Sequence, residues 1–235
     1  KDLSYAPDNF QLLAEGQTWG LSVLNNMLLA GRHDGFFRVT KDSLATVTKT
    51  TGYWTFSQVR NEPSSLVVAG NYQGLGLFEW SGNGLSERGP IGNFSESARF
   101  VVIDNDNVIW VSHPYRGVYK IEVSDGAAAV RLYTDDKGLP SALNNHVYKV
   151  RNKVLIATEK GIFEYNKQAD RFQPSALFRD IFGEQGVFGG NNRIRSYSHE
   201  SRPVRYMRQR HPPVYSAPLV EIRNLPAKII DLAIY

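Results

Sequence analysis

The sequence predicts an all-β fold, a β-propeller of four consecutive four-stranded blades plus part of a fifth. Four glycines, at positions 35, 74, 117 and 161, recur 39, 43 and 44 residues apart, which is the length of one propeller blade. Each glycine ends a tight turn between two short apolar or aromatic runs, as in a β-hairpin. No useful length of this repeat region shows the 3.6-residue periodicity of an amphipathic helix.

The strands of each blade follow in order along the chain. Upstream of each hairpin lies a run that precedes a turn of Asn, Asp, Pro or Arg residues, and this run is predicted to be the innermost strand. The four innermost strands are predicted at Trp19 to Leu24, Tyr53 to Val59, Arg99 to Asp104 and His146 to Val150. More polar runs suit an outer, half-exposed strand, and they lie at Thr46 to Thr50, Leu85 to Arg88 and Val130 to Thr134.

The chain divides into three parts by this reading. Residues 1–16 are predicted to hold the outer strand of a preceding blade, and residues 17–175 the four blades. Residues 176–235 are predicted to be an irregular basic segment followed by the start of a further blade. Because four blades and a fraction would leave two open edges, we expect a fragment of a larger propeller array.

Composition excludes several classes of protein. The chain has no cysteine, so disulfide frameworks, thiolate zinc sites and cysteine nucleophiles are excluded. The net charge is +4, and from residue 176 onward nine Arg or Lys face five Asp or Glu. A solvated surface explains this basic segment better than an anion site, and it has no motif for nucleic-acid recognition. No apolar run resembles a membrane helix or signal peptide, so any anchor is expected outside this chain.

Two blades carry a family resemblance. Residues 135–147 (DDKGLPSALNNHV) and 154–165 (VLIATEKGIFEY) resemble the two-component-regulator propeller repeat, with its Gly-Leu-Pro linker and its hairpin ending in Gly. Residues 109–117 (IWVSHPYRG) are similar to the versions in triple-tyrosine-motif regulators of the Bacteroidetes type. The first two blades lack the Leu-Pro linker, and Leu155 stands where the family usually has Trp.

The resemblance implies a periplasmic sensor region of a membrane-anchored signal-transduction or transcription regulator. In the carbohydrate-utilising members such propellers detect oligosaccharides and signal as dimers, with a histidine kinase or a helix-turn-helix domain as output. The expected partners are therefore an oligosaccharide and a second copy of the parent protein. No direct nucleic-acid contact is expected, and the membrane is reached only through a segment outside this chain.

A search for catalytic and metal-binding motifs gives no candidate. The five histidines never occur at a spacing that would put two ligands on one face, so no metal site and no cofactor are predicted. The run Asp104 to Asn107 has only two oxygen positions of a calcium loop, which favours a plain β-turn. No nucleophile elbow, Walker sequence or sialidase box is present, so this region is predicted not to be an enzyme.

The candidate ligand-binding surface comes from propeller geometry. The hairpin loops that precede the repeat glycines and the linkers between blades emerge on one face, where aromatic, Arg, His and Asn side chains suit sugar recognition. The predicted ligand-binding residues are Arg32, His33, Asn71, Tyr72, His113, Tyr115, Arg116 and Lys160. For any single residue, an ordinary polar turn is the simpler interpretation. Trp54, Trp80 and Trp110 are predicted to lie within strands and to pack in the core or between blades.

Three functions remain in competition. The first is a sensor that binds a periplasmic ligand, most reasonably an oligosaccharide. The second is an interaction propeller that serves only dimerisation or relay. The third and least favoured is a polysaccharide lyase or hydrolase, because the sequence shows no acid–base constellation for it.

Overall fold

A computed structural model describes residues 12–59, 65–82, 84–124 and 127–177, and the strand assignment of 187–189 and 193–195. The described chain forms four four-stranded antiparallel sheets, each built from four strands that are consecutive in sequence. Successive sheets follow one another as the blades of a β-propeller, so the predicted all-β propeller fold is confirmed. Residues 1–11 and 196–235, which fall in the regions where the outer strand of a preceding blade and the start of a further blade were expected, lie outside the described residues.

The blades have the following strands. Blade 1 consists of β1 (Thr18–Leu24), β2 (Met27–Arg32), β3 (Gly35–Val39) and β4 (Leu44–Thr48). Blade 2 consists of β5 (Thr55–Gln58), β6 (Leu66–Asn71), β7 (Gly74–Ser81) and β8 (Gly84–Pro90). Blade 3 consists of β9 (Phe100–Ile103), β10 (Ile109–His113), β11 (Gly117–Ser124) and β12 (Ala127–Tyr133). Blade 4 consists of β13 (His146–Val150), β14 (Lys153–Thr158), β15 (Gly161–Asn166) and β16 (Arg171–Pro174). A short 3-10 turn (Asp135–Lys137) and a two-stranded sheet of β17 (Val187–Gly189) and β18 (Arg193–Arg195) complete the assignment.

The inner strands β1, β5, β9 and β13 lie where the repeat predicts them, to within about two residues at each end. The repeat glycines have φ between +105° and +148°, a region that side chains rarely adopt, which explains why glycine recurs at the start of each third strand. One strand was not anticipated. The outer strand of blade 4, β16, has only four residues and begins with a charge, so it carries little pattern.

The core consists of three apolar clusters, one at each junction between consecutive blades. Blades 1 and 2 meet in a cluster rich in aromatic rings, where Phe36 lies 4.2 Å from Phe56 and 5.0 Å from Phe78 between ring centroids. Blades 2 and 3 meet through aliphatic side chains such as Val111 and Ile121, together with aromatic side chains. Blades 3 and 4 meet around Trp110, which is fully buried. Each blade is therefore stabilised by its neighbours.

The tryptophans bear out the packing prediction only in part. Trp110 lies in β10 and donates its indole N–H to Asp104 Oδ2 at 2.9 Å, and Trp80 lies in β7 against the first cluster. Trp54 does not lie within a strand as expected. It precedes β5 because the linker reaches the blade only at Thr55, and its ring packs on Tyr72 at 4.7 Å between centroids.

Candidate functional site

The hairpins and the interblade linkers share one face of the propeller. Three linkers bind the hairpin of the preceding blade through the backbone: Gly52 N–H donates to the His33 carbonyl at 3.0 Å, Ala98 to Asn71 at 3.0 Å, and Asn144 to Pro114 at 2.9 Å. A backbone bond from the linker to the hairpin thus recurs at all three blade junctions. It holds each linker against the hairpin tip, so side chains from two blades meet at every junction.

The last residue of each second strand has a repeated role in its turn. Asn71 Oδ1, His113 Nδ1 and Thr158 Oγ1 each accept a hydrogen bond from the backbone amide two residues later, at 2.8, 3.2 and 3.1 Å. In blade 1, Arg32 Nε donates to the Asp34 carboxylate, also two residues later, at 2.9 Å. A side chain at this position therefore closes the hairpin.

Two of the predicted ligand-binding residues are committed to this structural role. Arg32 is only 4% exposed, and its guanidinium also donates to Thr18 Oγ1 at 3.4 Å and to the Glu15 carbonyl. Asn71 is 7% exposed, with Oδ1 occupied by the turn. Their assignment as ligand contacts stays a prediction, but these contacts favour a role in holding the hairpins.

A first cluster lies at the junction of blades 1 and 2. His33 Nδ1 lies 3.1 Å from the Tyr72 hydroxyl, so the two predicted residues are brought together from different blades. Tyr72 packs edge-on against Trp54 and directly over Gly52, where an added Cβ would lie 2.2 Å from the ring. Gly52 also has φ +81°. The close approach and the positive φ together explain why this linker position is glycine.

A second cluster lies at the junction of blades 2 and 3. Glu96, from the linker before β9, contacts Arg116 Nη1 through Oε1 at 2.9 Å and lies 3.9 Å from His113 Nε2 through Oε2. Tyr115 extends from the same hairpin, is 73% exposed, and has its ring 6.1 Å from that of His113. An exposed aromatic ring, a guanidinium, an imidazole and a carboxylate therefore stand side by side.

The imidazole of His113 has a defined state in this cluster. Since Nδ1 accepts the Tyr115 amide, the neutral ring carries its proton on Nε2, which faces Glu96. Burial lowers the pKa of His113, the Glu96 carboxylate opposes this effect, and Arg116 adds to it. The ring is therefore uncharged at neutral pH and available as a hydrogen-bond donor at Nε2.

The junction of blades 3 and 4 holds fewer candidate groups. Asn144 Nδ2 donates to Glu159 Oε1 at 2.7 Å, which joins the linker to the hairpin of blade 4. Lys160 is exposed at the tip of that hairpin, and its backbone amide completes the turn with Thr158. Lys160 stays a predicted ligand contact.

Neither a metal centre nor a membrane helix is found in the described part of the chain. No group of three or more His, Asp and Glu side chains there is arranged to hold a metal ion. The Asp104 side chain instead caps a turn, because Oδ1 accepts the amides of Asp106 and Val108 at 2.9 and 3.0 Å. Among the residues that the structure describes, no helix is long and apolar enough to cross a membrane.

Known proteins match this chain through structure alone. No protein-family model matches the sequence, and no curated protein matches it. The extracellular domain of the putative one-component system BT4673 from B. thetaiotaomicron is similar at 15% identity and a TM-score of 0.54, over 67% of this chain and 21% of that chain. A second structure, described as the extracellular domain of the putative hybrid two-component system BT4673, gives 18% identity and a TM-score of 0.49, over 67% and 22%. Virginiamycin B lyase from Staphylococcus aureus gives 11% identity and a TM-score of 0.47, over 68% and 56%.

The similarity to the first of these structures is a likeness of fold alone. The chain spans about a fifth of the length of the BT4673 domain. Membership of the two-component-regulator propeller family stays a prediction.

Sequence reasoning missed two residues that help form the clusters. Glu96 was not singled out because its partners lie in a hairpin 20 residues later, and a lone Glu in a linker has no motif. Trp54 was assigned to packing because its position in the linker was not recognised. The signal available for both was topological, since interblade linkers were expected on the hairpin face.

Proposed function

We propose that this chain is an extracytoplasmic ligand-sensing propeller of a signal-transduction or transcription regulator, and that its ligand is an oligosaccharide bound on the hairpin face. The observation that carries the proposal is the second cluster, where the exposed Tyr115 ring stands beside Arg116, His113 and Glu96. The sensor role and the extracytoplasmic location draw support from the similarity to the extracellular domain of BT4673. The proposed output is a histidine kinase or a DNA-binding domain elsewhere in the parent protein.

The chemistry of the cluster suits a sugar better than an apolar ligand. A tyrosine ring offers a flat face that stacks on sugar C–H groups, while its hydroxyl stays in water. Arg116 has a side-chain exposure of 60%, so a ligand hydroxyl reaches its guanidinium without displacing packed groups. Glu96 accepts and His113 Nε2 donates, which gives a hydroxyl both kinds of partner at one place.

Calorimetric titration of the purified chain with a panel of neutral and acidic oligosaccharides tests the proposal. One glycan class is expected to bind, and Tyr115→Ala is expected to weaken that binding by about tenfold, corresponding to one stacking contact of roughly 1.4 kcal/mol. Heat flow that stays flat across the panel with the folded chain would contradict ligand sensing by this face.

His113→Asn separates turn formation from ligand contact. Asn71 closes the blade 2 hairpin through Oδ1, so an asparagine at 113 is expected to keep the turn and to lose the Nε2 donor. The variant should unfold within about 0.5 kcal/mol of the unchanged chain yet bind the glycan more weakly. Lys167→Ala is the control. This exposed lysine lies in the turn between β15 and β16 and pairs with Asp106 in the turn between β9 and β10, so it takes no part in the second cluster. Equal binding by the histidine variant and the control would remove His113 from the site.

Two other functions are outcomes of the same experiments. An interaction propeller without a small ligand predicts no binding to any glycan and no effect of Tyr115→Ala on signalling by the parent protein. A polysaccharide lyase or hydrolase predicts shortened or unsaturated products on prolonged incubation with the panel. We propose that the chain releases no such product, because in the second cluster Glu96 is paired with Arg116 and His113 Nδ1 accepts the Tyr115 amide, so neither group is free to act as a base.

A further inference from the structure

The outer edge of blade 3 differs from the outer edges of the other three blades. Its strand β12 has seven residues in unbroken register with β11, from Val118 opposite Tyr133 to Ser124 opposite Ala127. It ends its sheet, since the strand order is β12-β11-β10-β9. Its sequence AAAVRLY contains a single charge, and all its residues except Ala128 and Tyr133 are exposed.

The other outer strands carry features that block further strand pairing. In blade 2, β8 contains Glu87 and Arg88, ends at Pro90, and has a register shift against β7. In blade 1, β4 has five residues and also follows a register shift. In blade 4, β16 has four residues and ends in a proline. Because bulges, prolines, charges and short length protect sheet edges, β12 is the unprotected edge among the four described blades.

We propose that β12 is a dimerisation edge that pairs antiparallel with β12 of a second copy of this chain, centred on Val130. The pairing would join two four-stranded blades into one continuous eight-stranded sheet. It lies on the outer rim of blade 3 and is separate from the proposed ligand cluster. The proposal is therefore independent of oligosaccharide binding.

Self-pairing restricts the register to a few choices. A two-fold axis across an antiparallel pair places one residue opposite its own copy, so the centre falls on Ala129, Val130 or Arg131. Centring on Arg131 would set two like charges directly opposite each other, which destabilises a sheet. Centring on Val130 sets Ala128 opposite Leu132 and Ala129 opposite Arg131, so a small side chain meets a large one at each step.

On one face of the joined sheet, apolar side chains that are exposed in a single copy would be covered by the second copy. Val130 and Leu132 of β12 are 37% and 45% exposed, and Val123 of β11 is 49% exposed. On this face Val130 neighbours Ile121, and Ala128 neighbours Val123, within one copy. Pairing therefore places Leu132 beside the second copy's Ala128, with Val123 beyond it. A continuous apolar row would run across both copies.

The opposite face gives complementary charges. Arg131 neighbours Lys120 across the β11–β12 pair, and Ala129 neighbours Glu122. In the joined sheet Arg131 lies opposite the second copy's Ala129, and that copy's Glu122 is the next residue in the same row. The small alanine lets the long Arg and Glu side chains meet above it. Within one copy Glu122 pairs with Lys120 at 3.2 Å and Arg131 lies 4.0 Å from Asp170, and the Glu122 and Arg131 side chains are still 41% and 58% exposed. Pairing would add a contact between Arg131 and the second copy's Glu122 to these pairs, which argues for a second copy rather than an unrelated strand as the occupant.

Charged substitutions at position 130 test both whether β12 pairs with a second copy and whether the pairing is centred on this residue. Sedimentation equilibrium of the full chain should show the mass rising with concentration from one to two copies. Val130→Lys and Val130→Glu should each remain a single copy, because like charges then oppose each other at the centre. An equimolar mixture of the two variants should regain the two-copy mass. Thr46→Lys and Thr46→Glu are the matched controls on the exposed outer strand of blade 1, and they should not change association.

A thiol at the same position gives a second measurement. Because the chain has no cysteine, Val130→Cys introduces the only thiol, and two copies paired at this residue bring both thiols within disulfide range. Mild oxidation should give a covalent dimer of Val130→Cys and none of Thr46→Cys. The proposal is overturned by an unchanged chain that stays single at every concentration, by a dimer that survives Val130→Lys, or by a charged pair of variants that fails to associate. Circular dichroism of each variant establishes that it has folded.

Discussion

Asp104 carries three hydrogen bonds that tie the first turn of blade 3 to its central tryptophan. Oδ1 accepts the amides of Asp106 and Val108, and Oδ2 accepts the Trp110 indole N–H at 2.9 Å. Replacing Asp104 with Asn keeps the shape and one oxygen. That oxygen can still serve the two amides, but the new NH₂ group then points at the indole N–H, so two donors face each other.

The expected loss follows from the burial of Trp110. This side chain is completely buried, so the indole N–H cannot find water once its acceptor is gone. A buried donor left without a partner costs about 1–3 kcal/mol. Asp104→Asn should therefore lower the free energy of unfolding by about 1–3 kcal/mol. Asp104→Ala should lower it further, since each of the two turn bonds contributes about 1 kcal/mol.

A double-mutant cycle with Trp110→Phe isolates the indole contact. Phenylalanine retains a buried ring but has no N–H, so Asp104→Asn should cost much less in that background. Urea unfolding followed by far-UV circular dichroism measures all four chains without depending on tryptophan fluorescence. An equal cost of Asp104→Asn in both backgrounds would refute the assigned role of the indole bond. A variant Asp104→Asn as stable as the unchanged chain would refute the buried-donor argument itself.

Two further predictions concern the blade junctions. The hydroxyls of Tyr133 and Tyr165 donate to Asp170 at 2.6 and 2.7 Å, and these bonds lower the pKa of Asp170 from 3.8 to about 2. Because the pKa is lower in the folded state, the stabilisation is complete above about pH 4 and is lost as the pH falls toward 2; Asp170→Asn should flatten the pH dependence of unfolding over that range. Gly52→Ala should cost about 1–3 kcal/mol and weaken glycan binding, because its Cβ would lie 2.2 Å from the Tyr72 ring at φ +81°. Gly82→Ala, where an added Cβ meets nothing within 4 Å, should be nearly neutral by the same unfolding measurement.

The repeat predicted the fold well because each propeller blade is formed by residues that are consecutive in the sequence. Each inner strand and each hairpin is a short run between turn residues, and the glycines at 35, 74, 117 and 161 have the positive φ that their turns require. The outer strands were placed less accurately. They are half exposed, so their sequences need not alternate, and β4 also has a register shift opposite Phe36 and Phe37.

For the candidate site, the sequence predicted which face of the propeller carries the hairpins and linkers, but it did not predict which side chains contact each other there. Topology alone puts hairpins and linkers on one face, and in the structure His33 lies beside Tyr72 there. The partner of His113 could not be read from the sequence, because Glu96 reaches it from the interblade linker before β9, where it belongs to no motif. Which residues share a junction depends on how closely two sheets pack, and no local pattern in either blade encodes that distance.

The residue that ends the second strand of each blade shows why residue type alone does not tell which of the predicted side chains can reach a ligand. Arg32, Asn71, His113 and Thr158 are chemically different, yet each side chain closes its own hairpin by a bond to the residue two positions later. Asn71 and Thr158 use the acceptor oxygen that a ligand would need, and the Arg32 guanidinium is buried. Asn71 keeps its Nδ2 donor, but the residue is only 7% exposed. The imidazole of His113 has its second nitrogen on the far side of the ring. His113 therefore closes its turn and still presents Nε2 toward Glu96, which makes blade 3 the blade where the scaffold itself leaves a polar group directed at the face.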